Sequence, residues 1–152
     1  MYNPSHINKE HPMNSNFCFN MAMRISSRLI TQFYDERLSV LGLKVGQFSI
    51  LRATHFAGET TNKQLQGILV IDQTTLTRNL KPLLRDAFLQ VKAAAEDGRV
   101  KNIRLTKKGQ ALYDKALPIW EQAQKDILVK LGDKQAQNIL DLTETFVDAL
   151  NN

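Results

Sequence analysis

Cysteine is almost absent: Cys18 stands alone among 152 residues. One cysteine excludes an internal disulfide, which fits a reducing, cytoplasmic setting and leaves apolar burial to hold the fold. The length is that of about one domain, enough for a sizeable core. No apolar run approaches the roughly 20 residues that cross a bilayer, so no membrane partner is expected. The opening MYNPSHINKEHPMNSN is polar and lacks the apolar centre of a secretory signal, so residues 1–14 read as a frayed tail. His6, His11 and His55 have no cysteine or carboxylate at ligand spacing, so neither a metal nor a cofactor is expected. A Ser/His/Asp set, a glycine-rich phosphate loop and a paired-acid motif are missing, and with them any positive sign of an enzyme or a catalytic residue.

Positive charge, in contrast, is concentrated in one place. From Lys44 to Lys108 there are 12 Lys/Arg against 5 Asp/Glu, a net of +7, whereas the remainder has 8 against 10. A basic surface localised in this way suits phosphate, although a solvated face without a partner would carry the same charge.

Apolar spacing sets the elements. Phe17, Met21, Ile25, Leu29 and Phe33 recur every four residues, widened by Met23, Ile30, Tyr34 and Leu38, and predict a helix from about Ser15 to Ser39. Gly42 stops it, and a second helix runs from Val45 to Ala57, stopped by Gly58. Thr60-Thr61-Asn62 opens a short helix from Lys63 to Ile68, and Asp72 is placed to cap the next, Gln73 to about Asp86, with Leu76, Leu80, Leu83 and Leu84 inward. Pro82 lies inside that pattern, and a bend or loosened last turn is expected there. Strands follow at Phe88 to Lys92 and Val100 to Leu105, around a charged loop from Ala93 to Arg99. Thr106 caps a long helix, about Lys107 to Lys130, in which Pro118 is a candidate kink, and Asp133 starts a last helix to about Leu150. Helix, short helix, helix, hairpin and helix is the order of a winged helix-turn-helix, in which one helix enters the DNA major groove beside a β-hairpin wing.

The residues DQTTLTRNLKPL, then Asp97-Gly98-Arg99 and, five residues on, Leu105-Thr106, resemble the MarR family of bacterial transcription regulators. Asn16 to Asn20, Tyr34-Asp35, Leu41-Gly42-Leu43 and Gln47-Phe48 extend the likeness over about residues 16–150. The resemblance implies a mostly α fold with a small β-hairpin wing. It also implies a homodimer whose two reading heads bind a pseudopalindromic double-stranded operator, and a small ligand or oxidant that releases the DNA. Residues 15–152 would be one domain, with the winged helix-turn-helix at about 44–108 and dimerisation helices at 15–43 and 107–150. By position, Gln73, Thr74, Thr75, Thr77, Arg78 and Asn79 would face the major groove, Arg99 would enter the minor groove, and Asp97 would orient it. Lys81, Lys101 and the first turn of the short helix, Thr61, Asn62 and Lys63, are added as DNA contacts. Two departures stand out: Ala87-Phe88-Leu89 occupies the place where the family has glycine and two apolar residues, and Ala93-Ala94-Ala95-Glu96 lacks extra wing cations.

Each of these residues has a plainer reading. The threonines could be solvated, Arg78 could pair with Asp86, and Arg99 with Asp97. Three threonines just after a helix cap are nonetheless a poor choice for helix stability alone, and their hydroxyl and methyl groups suit base edges and thymine. Cys18 is read as a packing residue, because its neighbours Phe17, Phe19 and Met21 are apolar. The hydroperoxide-sensing branch of the family keeps a reactive cysteine two residues later, where this chain has Asn20, and two residues turn a helix by about 200°. The expectation is a repressor released by a small ligand. The alternatives are a redox regulator using Cys18 and a winged-helix protein-interaction module that has lost DNA.

Overall fold

The computed structural model describes residues 18–93 and 101–150. Helix α1 is Phe19–Leu38, continued by a 3-10 turn over Ser39–Leu41. Then come α2 (Val45–Ala57), α3 (Asn62–Leu69), α4 (Gln73–Arg85), strands β1 (Leu89–Ala93) and β2 (Lys101–Leu105), α5 (Lys107–Leu131) and α6 (Asp133–Leu150). The chain divides within α1, after Phe33, into two units. In the first unit the described part of α1 shows Phe19, Met21, Met23, Leu29 and Ile30 exposed.

The second unit holds the core. Leu38, Leu43, Phe48, Ile50, Leu51, Leu65, Leu76, Leu80, Leu83, Leu89, Ile103, Tyr113 and Ala116 are buried together, and each large apolar side chain among them stabilises the fold by about 1.5–3 kcal/mol. Phe48 lies at the centre, stacked on Tyr113 at 5.8 Å and tilted against Trp120 at 5.7 Å between ring centroids. The N-terminus of α2 is satisfied from outside itself: the Val45 N–H donates to Asp35 Oδ1 at 2.7 Å. That ties the end of α1 to the start of α2.

Strands β1 and β2 pair antiparallel, with Leu89 opposite Leu105, Val91 opposite Ile103 and Ala93 opposite Lys101. Their connection, including Asp97 and Arg99, lies outside the described residues. A further backbone bridge joins β2 to the segment before α3: Thr60 N–H donates to the Ile103 carbonyl at 3.0 Å, and Ile103 N–H to that of Thr60 at 2.6 Å.

Two helix ends are unusual. After α4 the Phe88 N–H donates to the Leu83 carbonyl at 2.9 Å and the Ala87 N–H to that of Leu84 at 3.1 Å. This is a Schellman motif, whose pivot residue is usually glycine; here Ala87 takes it at φ 57°. Val70 does the same after α3 at φ 50°, a more costly choice for a β-branched residue. Helix α4 continues through Pro82, where a bend or loosened last turn was expected, to Arg85. Helix α5 likewise continues through Pro118. Gly109 in the first turn of α5 is demanded by contact: a Cβ there would run into the Phe88 carbonyl oxygen. Beside it, Thr106 Oγ1 accepts from Gly109 N–H at 2.9 Å and donates to the Ala87 carbonyl at 2.7 Å.

Candidate nucleic-acid interface

Helix α4 buries Leu76, Leu80 and Leu83 and leaves the other side open. On that open side are Gln73, Thr74, Thr77, Arg78, Lys81 and Arg85. Asp72 starts the helix by accepting the Thr75 N–H at 2.6 Å. That backbone bond, then the Thr75 hydroxyl, holds the Asp72 carboxyl below the usual carboxylate range. Gln73 and Thr77 are joined one turn apart. The Thr77 hydroxyl donates to the Gln73 carbonyl at 2.7 Å and accepts from Gln73 Nε2 at 3.0 Å. The pair fixes the Gln73 amide over Thr77.

Of the six side chains expected in the major groove, two are half-buried. Asn79 is half-buried, donates Nδ2 to the Thr75 carbonyl at 3.0 Å, and sits where a side chain on Gly46 of α2 would collide with it. Thr75 is half-buried and its N–H is held by Asp72. Gln73, Thr74, Thr77 and Arg78 remain on the open side. Arg78 and Lys81 form no ion pair among the described residues, and the acid once available to Arg78 is taken: Arg85 forks Asp86 at 2.7 and 2.8 Å.

The first turn of α3 stands beside this helix. Thr61 and Gln64 cap each other, Gln64 N–H donating to Thr61 Oγ1 at 3.2 Å and Thr61 N–H to Gln64 Oε1 at 2.9 Å. Thr61 is thus committed to the cap, while Asn62 and Lys63 are exposed. On the hairpin, Lys101 is exposed, as is Lys92, a wing cation that the sequence reading passed over. It also passed over Arg104, which forks Glu59 at 2.7 and 2.8 Å.

A cleft of about 530 Å3 opens between α2, the end of α3 and α5, walled by Phe48, Phe56, Ile68, Leu69 and Trp120. Arg52 also lines it, with its guanidinium carbon 5.0 Å from both the Phe56 and Trp120 ring centroids, a cation–π arrangement. Cys18 is exposed, which corrects the expectation of a packed thiol; its apolar neighbour Phe19 is exposed with it. Among the described residues no three His, Cys, Asp or Glu side chains are grouped as a metal site would need, and no helix is long and apolar enough to cross a membrane.

The sequence profile of the MarR family matches residues 43–101. An uncharacterized HTH-type transcriptional regulator of Bacillus subtilis, YwoH, is 27% identical over 122 residues, covering 80% of this chain and 88% of that one. The transcriptional regulator MosR of M. tuberculosis, solved in complex with DNA, is 33% identical, with a TM-score of 0.74 over 88% of this chain and 98% of that one. A cysteine-to-serine mutant of MarR from E. coli, complexed with operator DNA, superposes with a TM-score of 0.75 at 19% identity, covering 84% and 92%. At that identity the last likeness speaks for the fold alone.

Proposed function

Because the chain belongs to the MarR family of transcription regulators, we propose that it binds a pseudopalindromic double-stranded operator as a homodimer and represses transcription until a small ligand releases it. The observation that carries this reading is the open side of α4. Gln73, Thr74 and Thr77 offer amide and hydroxyl groups there, and Arg78 and Lys81 keep their charge unpaired among the described residues. A helix of this kind can set hydrogen-bonding groups against base edges while cations at its margin neutralise phosphate. Asn62, Lys63, Lys92 and Lys101 extend the phosphate-binding surface. Arg99, oriented by Asp97, is assigned to the minor groove by its place in the family pattern. Thr75 and Asn79 are assigned to aim the helix rather than to read DNA.

MosR, 33% identical, was solved with DNA, which supports the same partner here. The two-fold relation that a pseudopalindrome demands is supplied by a dimer, and exposed apolar residues on α6 offer it a surface. The cleft beside Arg52 is the place from which a small molecule would act, since α2, α3 and α5 meet there. The action of a regulator of this kind, and the setting of its DNA, is cytoplasmic. A gel shift on random duplex DNA across a salt series tests the central claim, followed by selection from a random library. Affinity should fall steeply with salt and one duplex family should be enriched. Binding that is absent at low salt would favour the protein-interaction alternative.

A further inference from the structure

The side chains of Glu59 and Arg104 are 34% and 49% exposed and meet in a two-bond fork. They are 45 residues apart in sequence. The fork is one of three consecutive links. Glu59 holds the wing strand by a side chain, Thr60 pairs with it through both backbone groups of Ile103, and Thr61 caps α3. Thr60 and Ile103 are each 2% exposed, so the middle link is sealed from water. Arg104, Asn102, Gln90 and Lys92 share one face of the hairpin by the pairing register, since Gln90 lies opposite Arg104 and Lys92 opposite Asn102. Arg104 first, then Asn102 and Lys92, draws the Glu59 carboxyl below the usual carboxylate range. The fork therefore persists as pH falls, until the lowered carboxyl itself takes up a proton.

We propose that Glu59 is a positioning residue for DNA recognition. Its hold on Arg104 sets the wing against the start of α3 and keeps that guanidinium off the phosphate backbone. The bidentate geometry is what an arginine fork provides and a lysine could not. It neutralises one wing cation, leaving Lys92 and Lys101 on the strands for phosphate. Glu59 thus favours the operator over random DNA in two ways: it fixes the angle between wing and reading helix, and it removes a sequence-blind contact. The inference rests on the DNA-binding reading above.

Fluorescence anisotropy titrations test it, using the duplex that the wild-type protein enriches from a random library and a random-sequence duplex of equal length. Glu59→Gln should bind the random duplex more tightly, with a salt slope steeper by about one. It should bind the selected duplex more weakly, lowering the ratio of the two affinities about three- to fivefold. Arg104→Gln should lower the ratio similarly but leave random-duplex affinity and its salt slope at wild-type values. Thermal midpoints of both variants should stay near wild type, which separates positioning from loss of fold. An unchanged ratio in both variants overturns the proposal, as does an Arg104→Gln variant that loses affinity equally on both duplexes with a shallower slope. A wild-type protein that binds neither duplex sinks the DNA-binding reading, and this one with it.

Discussion

Helices α4 and α6 each leave one side open, and the two open sides are chemical opposites. Helix α4 buries its leucines and presents Gln73, Thr74, Thr77, Arg78 and Lys81. Helix α6 buries no residue at all, and presents Ile139, Leu140, Leu142, Val147 and Leu150. Water satisfies the first surface in the absence of any partner. It penalises the second, at about 25 cal/mol per Å2 of apolar area left exposed. An amphipathic helix is stable in a protein when its apolar side is covered. So α4 is complete within one chain and free to meet a polyanion, whereas α6 calls for protein. A second copy of this chain is the partner that a two-fold operator would require.

The largest effect should come from breaking α6. Ile139 and Leu142 lie one turn apart on its apolar side, with Phe146 and Leu150 following. The double variant Ile139→Glu and Leu142→Glu should convert a dimer into monomer or unfolded chain at micromolar concentration, since each apolar group lost from an interface costs about 1.5–3 kcal/mol before the charge is counted. Sedimentation velocity reads this directly. A wild-type protein that sediments as a folded monomer at that concentration would remove the dimer from the proposed function.

Next in size are the changes on α4, and they differ in kind. Arg78→Ala should weaken operator binding by about 1–3 kcal/mol and relax base preference, because Arg78 stands beside Thr74 on the open side. Lys81→Ala should weaken all duplexes about equally and make the salt slope shallower by about one. Titrations against single-base operator variants distinguish them. An Arg78→Ala profile identical to that of Lys81→Ala would mean that the reading face lies elsewhere on the helix.

Much of this contrast was legible in the sequence, and the reasons are specific. The period of Leu76, Leu80 and Leu83 fixed the buried side of α4, and Asp72 its start. The glycines and Thr106 marked the ends of α2 and the start of α5 as observed. Thr75 and Asn79 were harder, because they sit at the edge of the buried arc. The direction of Asn79 depends on Gly46, on another helix, being small enough to admit it. The Glu59–Arg104 fork was invisible because no local pattern relates residues that only the folded hairpin brings together. The exposure of Cys18 was missed because apolar neighbours in sequence were taken for apolar neighbours in space.

A smaller effect would sharpen the contrast by altering the end of α4 without touching its open side. Ala87 holds a left-handed conformation at φ 57°, which costs an L-residue about 1–2 kcal/mol and glycine little. Glycine gives part of that back through the greater freedom of its unfolded chain. Ala87→Gly should therefore stabilise by about 0.5–1 kcal/mol, raise the thermal midpoint by a few degrees, and leave DNA affinity unchanged. A lower midpoint would show that Ala87 is not strained.

The smallest effect, none at all, is expected at Cys18. Its exposure meets one condition for a sensor thiol, access to the oxidant. The other condition is a nearby cation that favours the thiolate, the form that reacts. In sequence the nearest base on its own helix is Arg24, six residues on, more than one turn away. Phe19 and Met21, both exposed beside it, bring no charge. Oxidation at this end of α1 would also act far in sequence from α4. A few equivalents of cumene hydroperoxide should leave operator affinity unchanged, and Cys18→Ser should behave like the wild type with or without oxidant. Loss of binding on oxidation that a thiol reductant restores, and that Cys18→Ser abolishes, would replace the small ligand by an oxidant as the signal. It would also mean that a cation from another chain reaches the thiol, joining the dimer surface to the DNA-binding one.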